Sequence, residues 1–446
     1  MGISAGFAKV DLMDILSSKR HCEMPLCGTG FYLAGHKKNS FFFTVDFMDF
    51  DLQTVSALQA AVETVLPAGT KIHIITTHNH GADSCTQLDM ERFCFHAKEC
   101  AKAAVSGTKK AKIRIAAGQL EKRITFTRRI SVPETGSSFT CFYGIDEAKT
   151  GDAGNFVSRA VQSLKNNALC FTGDGTTSAN SSLTFPAADQ DIAVLEFRTT
   201  DGEPLGNIVR YSSHAVCCNL PDCYSSDFPG YLRQMMEKQL GGISLFFNGP
   251  CAEIAPVIAA KSPECGRTFA KLLAEKALSL LEKSEFQELE HFNDRIWQLP
   301  LPVRQEVISG KVELPADPAS TDDLKERKAL LERERVKAIL PFLDGIYRNG
   351  VKSPDGNITV STALLELNNW NLLFFCGETF SRTAKEITAH FPEKKWITVT
   401  EHGRTAMYIP PEQEYCGGGY EPTCAVVSER GENELKTQMI RLLEKL

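Results

Sequence analysis

The strongest constraint on the fold lies in residues 41–80. Phe41-Phe-Phe-Thr-Val-Asp-Phe-Met48 is an apolar run rich in aromatic and β-branched residues and reads as a buried strand. Leu52 to Leu66 follows with helical spacing, and the Pro67-Ala-Gly turn closes it. Ile72 to Ile75, continued by Thr76 and Thr77 and closed by His78, His80 and a Gly-Ala-Asp-Ser turn, then reads as a second strand, which makes a strand–helix–strand unit. That strand ends in His78 and His80. Two residues apart in extended backbone, their side chains leave the same face. Beyond the carboxyl end of a strand is where an α/β protein gathers ligands, so paired imidazoles there point to metal or proton chemistry. A solvated polar loop would look the same, and the pair alone does not carry a function.

The rest of the chain keeps alternating. Met90 to Ser106 reads as a helix and Lys109 to Ala117 as a strand. Ile192 to Phe197 and Ile208 to Tyr211 pair across the Thr199-Thr-Asp-Gly-Glu-Pro turn. Phe228 to Leu240 is helical until Gly241-Gly242, and Ile243 to Phe247 is a strand. Thr268 to Lys283 and Asp323 to Ile339 are helices, the second highly charged. Ile358 to Phe375 is a strand pair, followed by a helix from Ser381 to His390 and a strand from Trp396 to Thr400. Residues 408–420 read as an irregular loop, and Glu432 to Leu446 as a closing helix. Residues 131–156 and the Gly173–Ser182 segment are polar and turn-rich. No Gly-Lys-Ser/Thr follows the latter to make a phosphate cradle. This pattern predicts an α/β fold with a mixed central β-sheet flanked by helices. It is expected to form a single domain over 1–446, with 310–324 as a surface connector.

The net charge of −6 gives no electrostatic reason to propose nucleic acid as a partner. No apolar run reaches the length of a membrane span, and the first residues lack the pattern of a secretory signal. The 15 cysteines form no C-x-x-C pair, so reduced thiols and a cytoplasmic location are the expectation.

Four segments share one pattern, an apolar strand running toward a potential metal ligand. They are Ile74–His78, Ile208–His214, Leu372–Glu378, and Trp396 onward to Tyr408. Two imidazoles, a carboxylate and a phenolate would make an N/O site that suits Zn²⁺. Spacing alone does not nominate Tyr408.

Several of these segments resemble motifs of the neutral (non-lysosomal) ceramidases. Thr77-His-Asn-His80 is similar to that family's Thr-His-Thr-His motif. Tyr211-Ser-Ser-His214 and Ser226-Asp-Phe-Pro-Gly-Tyr231 resemble its second histidine segment. Leu245-Phe-Phe-Asn-Gly, Cys376-Gly-Glu-Thr-Phe380 and the stretch from Tyr408 to Glu421 match further motifs in the same order. So does the opening Gly6-Phe-Ala-Lys-Val-Asp11. The resemblance covers the family's catalytic domain only, without its immunoglobulin-like C-terminal domain.

It implies a neutral-ceramidase-like catalytic domain with His78, His214, Glu378 and Tyr408 as zinc ligands. His80 matches the histidine beside the reacting centre, and Arg128 and Tyr420 match groups that hold substrate or oxyanion. Each has an alternative in the residues themselves. Tyr420 could pack over the Gly417–Gly419 turn. Arg128, beside Lys122, Arg123 and Arg129, could belong to a solvated basic cluster. Glu378 could cap the helix that follows it.

One departure changes the expected chemistry. The family's Gly-Asp-x-Ser-Pro signature is here Ala252-Glu-Ile-Ala-Pro256, with Ala255 at the serine position. The resemblance then implies a zinc-dependent amidohydrolase acting on an N-acylated small molecule through a metal-activated water, with ceramide itself in doubt. Three alternatives stay open: an esterase or lactonase, a thiol enzyme using Cys251, and an inactive zinc-containing binding protein. Glu253 stands at the family's aspartate position, either as a general base or as a structural acceptor for the Asn248 turn.

Overall fold

The computed structural model describes residues 2–16, 20–36, 38–82, 88–122, 124–132, 137–140, 188–257, 261–312, 324–349 and 352–446. The Gly173–Ser182 segment and most of 131–156 and 310–324 lie outside the described residues.

The expected strand–helix–strand unit is present as Lys38–Val45, Leu52–Glu63 and Lys71–Thr76. The two strands are parallel, with Phe42 opposite His73. Asp51 caps the helix by accepting from Thr54 N. The helix stops at Glu63, three residues before the expected Leu66.

These strands form one edge of a nine-stranded mixed sheet. Its order runs Ile243–Asn248, Pro204–Tyr211, Asp191–Thr199, Lys109–Gln119, Ser4–Asp11, Cys27–Gly35, Lys38–Val45, Lys71–Thr76. The short strand Gln287–Glu288 adds beside Lys109–Gln119. Pairing is antiparallel through the middle and parallel at both edges. The large mixed sheet flanked by helices is therefore as expected.

A second sheet of four strands, Phe292–Pro302, Asn357–Leu367, Trp370–Phe374 and Lys395–Val399, packs on the first. Phe31, Phe42, Leu195 and Phe247 from the large sheet meet Leu365, Leu372, Phe374 and Val399 from the small one. The Phe41-Phe-Phe43 run shows why a strand covered on both faces is apolar throughout. Phe42 points into this inter-sheet core, whereas Phe41 and Phe43 point to the helices Leu52–Glu63 and Met90–Ser106. Each ring is fully buried, contributing about 1.5–3 kcal/mol. Helices Asp227–Leu240 and Pro263–Leu281 cover the rest of the large sheet. Leu324–Asn349, Ser381–Ala389 and Gly431–Leu443 cover the small one. No described helix is long and apolar enough to cross a membrane.

The large sheet curls until its two edges meet. Asn248, at the end of one edge strand, donates from Nδ2 to Thr77 O (3.4 Å) and Ser213 O (3.0 Å), and its Oδ1 accepts from Ser213 N (3.2 Å). An isolated parallel bridge joins Asn79 to Ala215. One buried amide thus fastens together the residues that precede His78 and His214.

Candidate metal centre

At the closed seam His78, His214 and Glu378 converge. His78 Nε2 lies 3.3 Å from Glu378 Oε2, and His214 Nε2 lies 3.2 Å from the same oxygen. The two imidazole centroids are 4.6 Å apart. All three residues are buried. His80 Nε2 is 3.4 Å from His78 Nε2, and His80 alone of the three histidines keeps partial solvent access. Donor atoms of His78, His80 and His214 lie within 4.8 Å of one another.

The local backbone differs from the expected extended pair. The strand ends at Thr76, and His78 sits in the left-handed region at φ 56°. The segment is held from outside. Thr77 N donates to Val45 O, Asn79 N to Phe47 O and His80 N to Ala215 O. The same-face argument therefore does not bring the rings together. Closure of the sheet and the left-handed turn do.

The fourth expected ligand is close by. Glu378–Thr379 pairs in parallel with Tyr408–Ile409, placing Glu378 beside Tyr408. Residues 408–420 are more ordered than an irregular loop. This strand is followed by a helix at Glu412–Gly417 and a helical turn at Tyr420–Thr423. Arg128 Nη2 donates to Tyr408 Oη at 2.9 Å, and Arg128 Nε donates to Glu421 Oε1 at 2.8 Å. Arg129 Nη1 donates to Glu421 Oε2 at 2.7 Å. Both arginines are buried, so they do not belong to a solvated cluster, and Glu421 is the reason. The rings of Tyr408 and Tyr420 meet edge to face at 5.6 Å, with Arg128 about equally near both.

The electrostatics favour a cation. His214 Nε2 and Glu378 Oε2 are buried without a hydrogen-bond partner among the described residues, yet they face each other. Two such acceptors tolerate this distance when a proton or metal ion lies between them. Each of these histidines has Nδ1 against a backbone carbonyl, His78 at Met48 O (3.1 Å) and His214 at Ile254 O (2.9 Å). The tie leaves Nε2 as the atom that could ligate a metal. Burial works to lower the pKa of His78, but the carboxylates of Glu378, Glu401 and Asp49 outweigh it and hold it up to about 9. Burial, with the charge of Arg128, takes His214 down to about 4. Burial and the neighbouring His78 and His214 hold His80 well below the ordinary imidazole value. Burial works to raise Glu378, but His78 and His214 pull it well below the usual carboxylate range. The set of imidazole nitrogens with a carboxylate and a phenol fits a borderline divalent ion such as Zn²⁺.

Three further positions are decided by packing. Ala255 is fully buried and pairs with Phe126, so it presents no reactive group. Cys251 is fully buried too, and its thiol is pushed well above its ordinary pKa by burial and by Glu401 and Glu378. Burial and the two carboxylates therefore disfavour a thiolate there. Glu253 Oε1 accepts from Ser381 N (2.9 Å) and Ser381 Oγ (2.5 Å), so it caps the helix Ser381–Ala389. That assigns it a structural role, with Ser381 rather than the Asn248 turn as donor. It also removes Glu378 as the cap.

Sequence reading missed Asn248, Glu401 and Glu421. Glu401 follows the strand Lys395–Val399 and fits the same pattern as the other candidate ligands. Asn248 closes an apolar strand in the same way.

Two stacked sheets under helices, closing around a histidine–carboxylate cluster, define an α/β protein with a candidate metal centre. No protein-family model matches the chain, and no curated protein matches it by sequence. Solved structures match by fold. The neutral ceramidase from Pseudomonas aeruginosa superposes with TM-score 0.67 at 13% identity, over 100% of this chain and 75% of that one. A ceramidase complexed with C2 gives 0.66 at 12% identity, over 100% of this chain and 76% of that one. The chain therefore has a neutral-ceramidase-like fold along its full length.

Proposed function

We propose that the chain is a zinc-dependent hydrolase that cleaves an amide bond in an N-acylated small molecule. The observation that carries this reading is the convergence of His78, His214 and Glu378 on one buried point. The neutral-ceramidase-like fold agrees with it. His78, His214, Glu378 and Tyr408 would hold the ion. Zinc bound there supplies a water acidified toward neutral pH and an electrophile for the acyl carbonyl. His80, neutral and partly open to solvent, carries the proton to the leaving group. Arg128, braced by Glu421, and Tyr420 hold the oxyanion. With Ala255 and a neutral Cys251, no side chain at those positions attacks the carbonyl. An ester or lactone would be activated by the same groups.

Metal analysis of purified protein tests the reading directly, with about one zinc per chain expected. Replacing His80 by Ala should leave that zinc in place and abolish turnover on amide and ester libraries. Loss of zinc in His80→Ala would make His80 a ligand instead. Zinc without turnover in the unaltered protein would mark a binding protein.

Zinc uptake should also depend on pH with a definite sign. In metal-free protein His78 keeps its proton up to about pH 9. A metal must displace that proton, so apparent affinity should rise at least about tenfold per pH unit below that value. Chelator competition at a series of pH values measures this, and a flat profile would contradict it.

A further inference from the structure

We infer that Glu401 is a positioning residue for His78, holding the imidazole so that Nε2 faces Glu378 and His214. The inference rests on the metal-centre reading above.

His78 needs such a device because it has left the strand. At φ 56° neighbouring strands do not fix its ring, and a half-turn about Cβ–Cγ would put Cδ2 in the place of Nδ1 and Cε1 in the place of Nε2. Acceptors behind the ring remove this freedom by demanding an N–H on that side. Met48 O is one, at 3.1 Å, and the Glu401 carboxylate adds its charge on the same side, with Oε1 3.5 Å from Nδ1. His214 has its Ile254 carbonyl at 2.9 Å, within a segment that His214 N also ties to Ile254 O.

Glu401 is 3% exposed, and its Oε1 has no hydrogen-bond partner among the described residues. A buried carboxylate is costly to keep without a partner. The His78 ring faces this oxygen, with Nδ1 3.5 Å away. Glu401 is itself left-handed, at φ 58°. Such backbone persists where the surroundings over-determine it, and they do here. Glu401 O accepts from Thr76 N, Gly403 N donates to Ile74 O, and Thr405 N donates to Phe50 O.

The next residue locks the segment from behind. His402 Nδ1 meets Ser361 O at 3.2 Å, and its Nε2 meets His73 Nδ1 at 2.9 Å. His73 Nε2 in turn meets Asp294 Oδ2 at 2.8 Å. The carboxylate of Glu401 is thus placed by the fold, ahead of any metal.

The test uses the full chain with Glu401→Ala and Glu401→Gln. Glutamine keeps an acceptor oxygen, whereas alanine does not. By chelator competition, Glu401→Ala should bind zinc about 10–100-fold more weakly, and Glu401→Gln should recover most of that loss. In metal-free protein labelled with ¹⁵N-histidine, the hydrogen-bonded Nδ1 proton of His78 should be protected in the unaltered chain and in Glu401→Gln. It should exchange several-fold faster in Glu401→Ala, where Met48 O alone holds it. Glu401→Asp, which withdraws the carboxylate by one methylene, replaces the alanine variant if that one does not fold. Unchanged zinc affinity and proton protection in Glu401→Ala would overturn the assignment. So would a Glu401→Gln variant as impaired as Glu401→Ala. The proton signal needs no zinc, so failure of the hydrolase reading and failure of the Glu401 assignment are separate results.

Discussion

Replacing Glu378 by Ala should abolish metal uptake and turnover together. Glu378 Oε2 is the point to which both buried histidines turn, at 3.3 Å and 3.2 Å. Without it a cation would meet only the imidazoles of His78, His214 and the nearby His80, and a tyrosine whose phenol is held well above its ordinary pKa by burial. Metal analysis should fall from about one zinc per chain to background. Turnover should drop roughly a thousandfold or more, because metal polarisation contributes several kcal/mol and about 1.4 kcal/mol is worth a factor of ten. The contrast with His80→Ala makes this a test of roles, since one variant loses the ion and the other keeps it. A Glu378→Ala protein that still bound one zinc tightly would remove Glu378 from the ligand set.

Replacing Arg233 by Ala should cost about 3–5 kcal/mol of stability, the range for breaking one side of a buried ion pair. Its guanidinium grips Asp46 with two bonds, 2.8 Å to Oδ1 and 2.5 Å to Oδ2, with both side chains almost wholly buried. The loss leaves the Asp46 carboxylate without its cation. Cys27 N donates to that carboxylate at 2.8 Å and Thr77 Oγ at 3.3 Å, whereas Asn79 Nδ2 donates to the backbone carbonyl of Asp46 at 3.1 Å. Thr77 and Asn79 flank His78, so zinc affinity should weaken as well. Denaturant midpoints with matched slopes measure the first effect and chelator competition the second. The exposed Lys102–Glu99 pair is the control, where removing the lysine should change stability by less than about 0.5 kcal/mol. Equal effects at the two sites would refute the argument.

Much of the architecture was legible before any coordinates. The helix at Met90–Ser106 has the boundaries read from its spacing, and the histidine strand starts and stops within a residue of expectation. Such features are local. A 3.6-residue period, a capping aspartate or a run of β-branched residues acts through neighbours a few positions away. The same logic marked strand ends as places for ligands, and His78, His214 and Glu378 stand at or just beyond such ends.

What no local pattern contained was how those ends meet. The strands leading to His78 and His214 lie at or next to opposite edges of the large sheet, and only its curl brings Asn248 onto both Thr77 and Ser213. Sheet curl is set by the summed twist of all its strands, which spacing in one strand does not record. Arg128 and Arg129 show the same limit from the side of charge. In sequence they look solvated, and they are buried because Glu421, almost three hundred residues away in the chain, supplies the counter-charge. The amino-acid order by itself determined which residues end strands and which types of ligand they offer. Tertiary structure decided which of them share a point in space, because that depends on pairings between segments hundreds of residues apart.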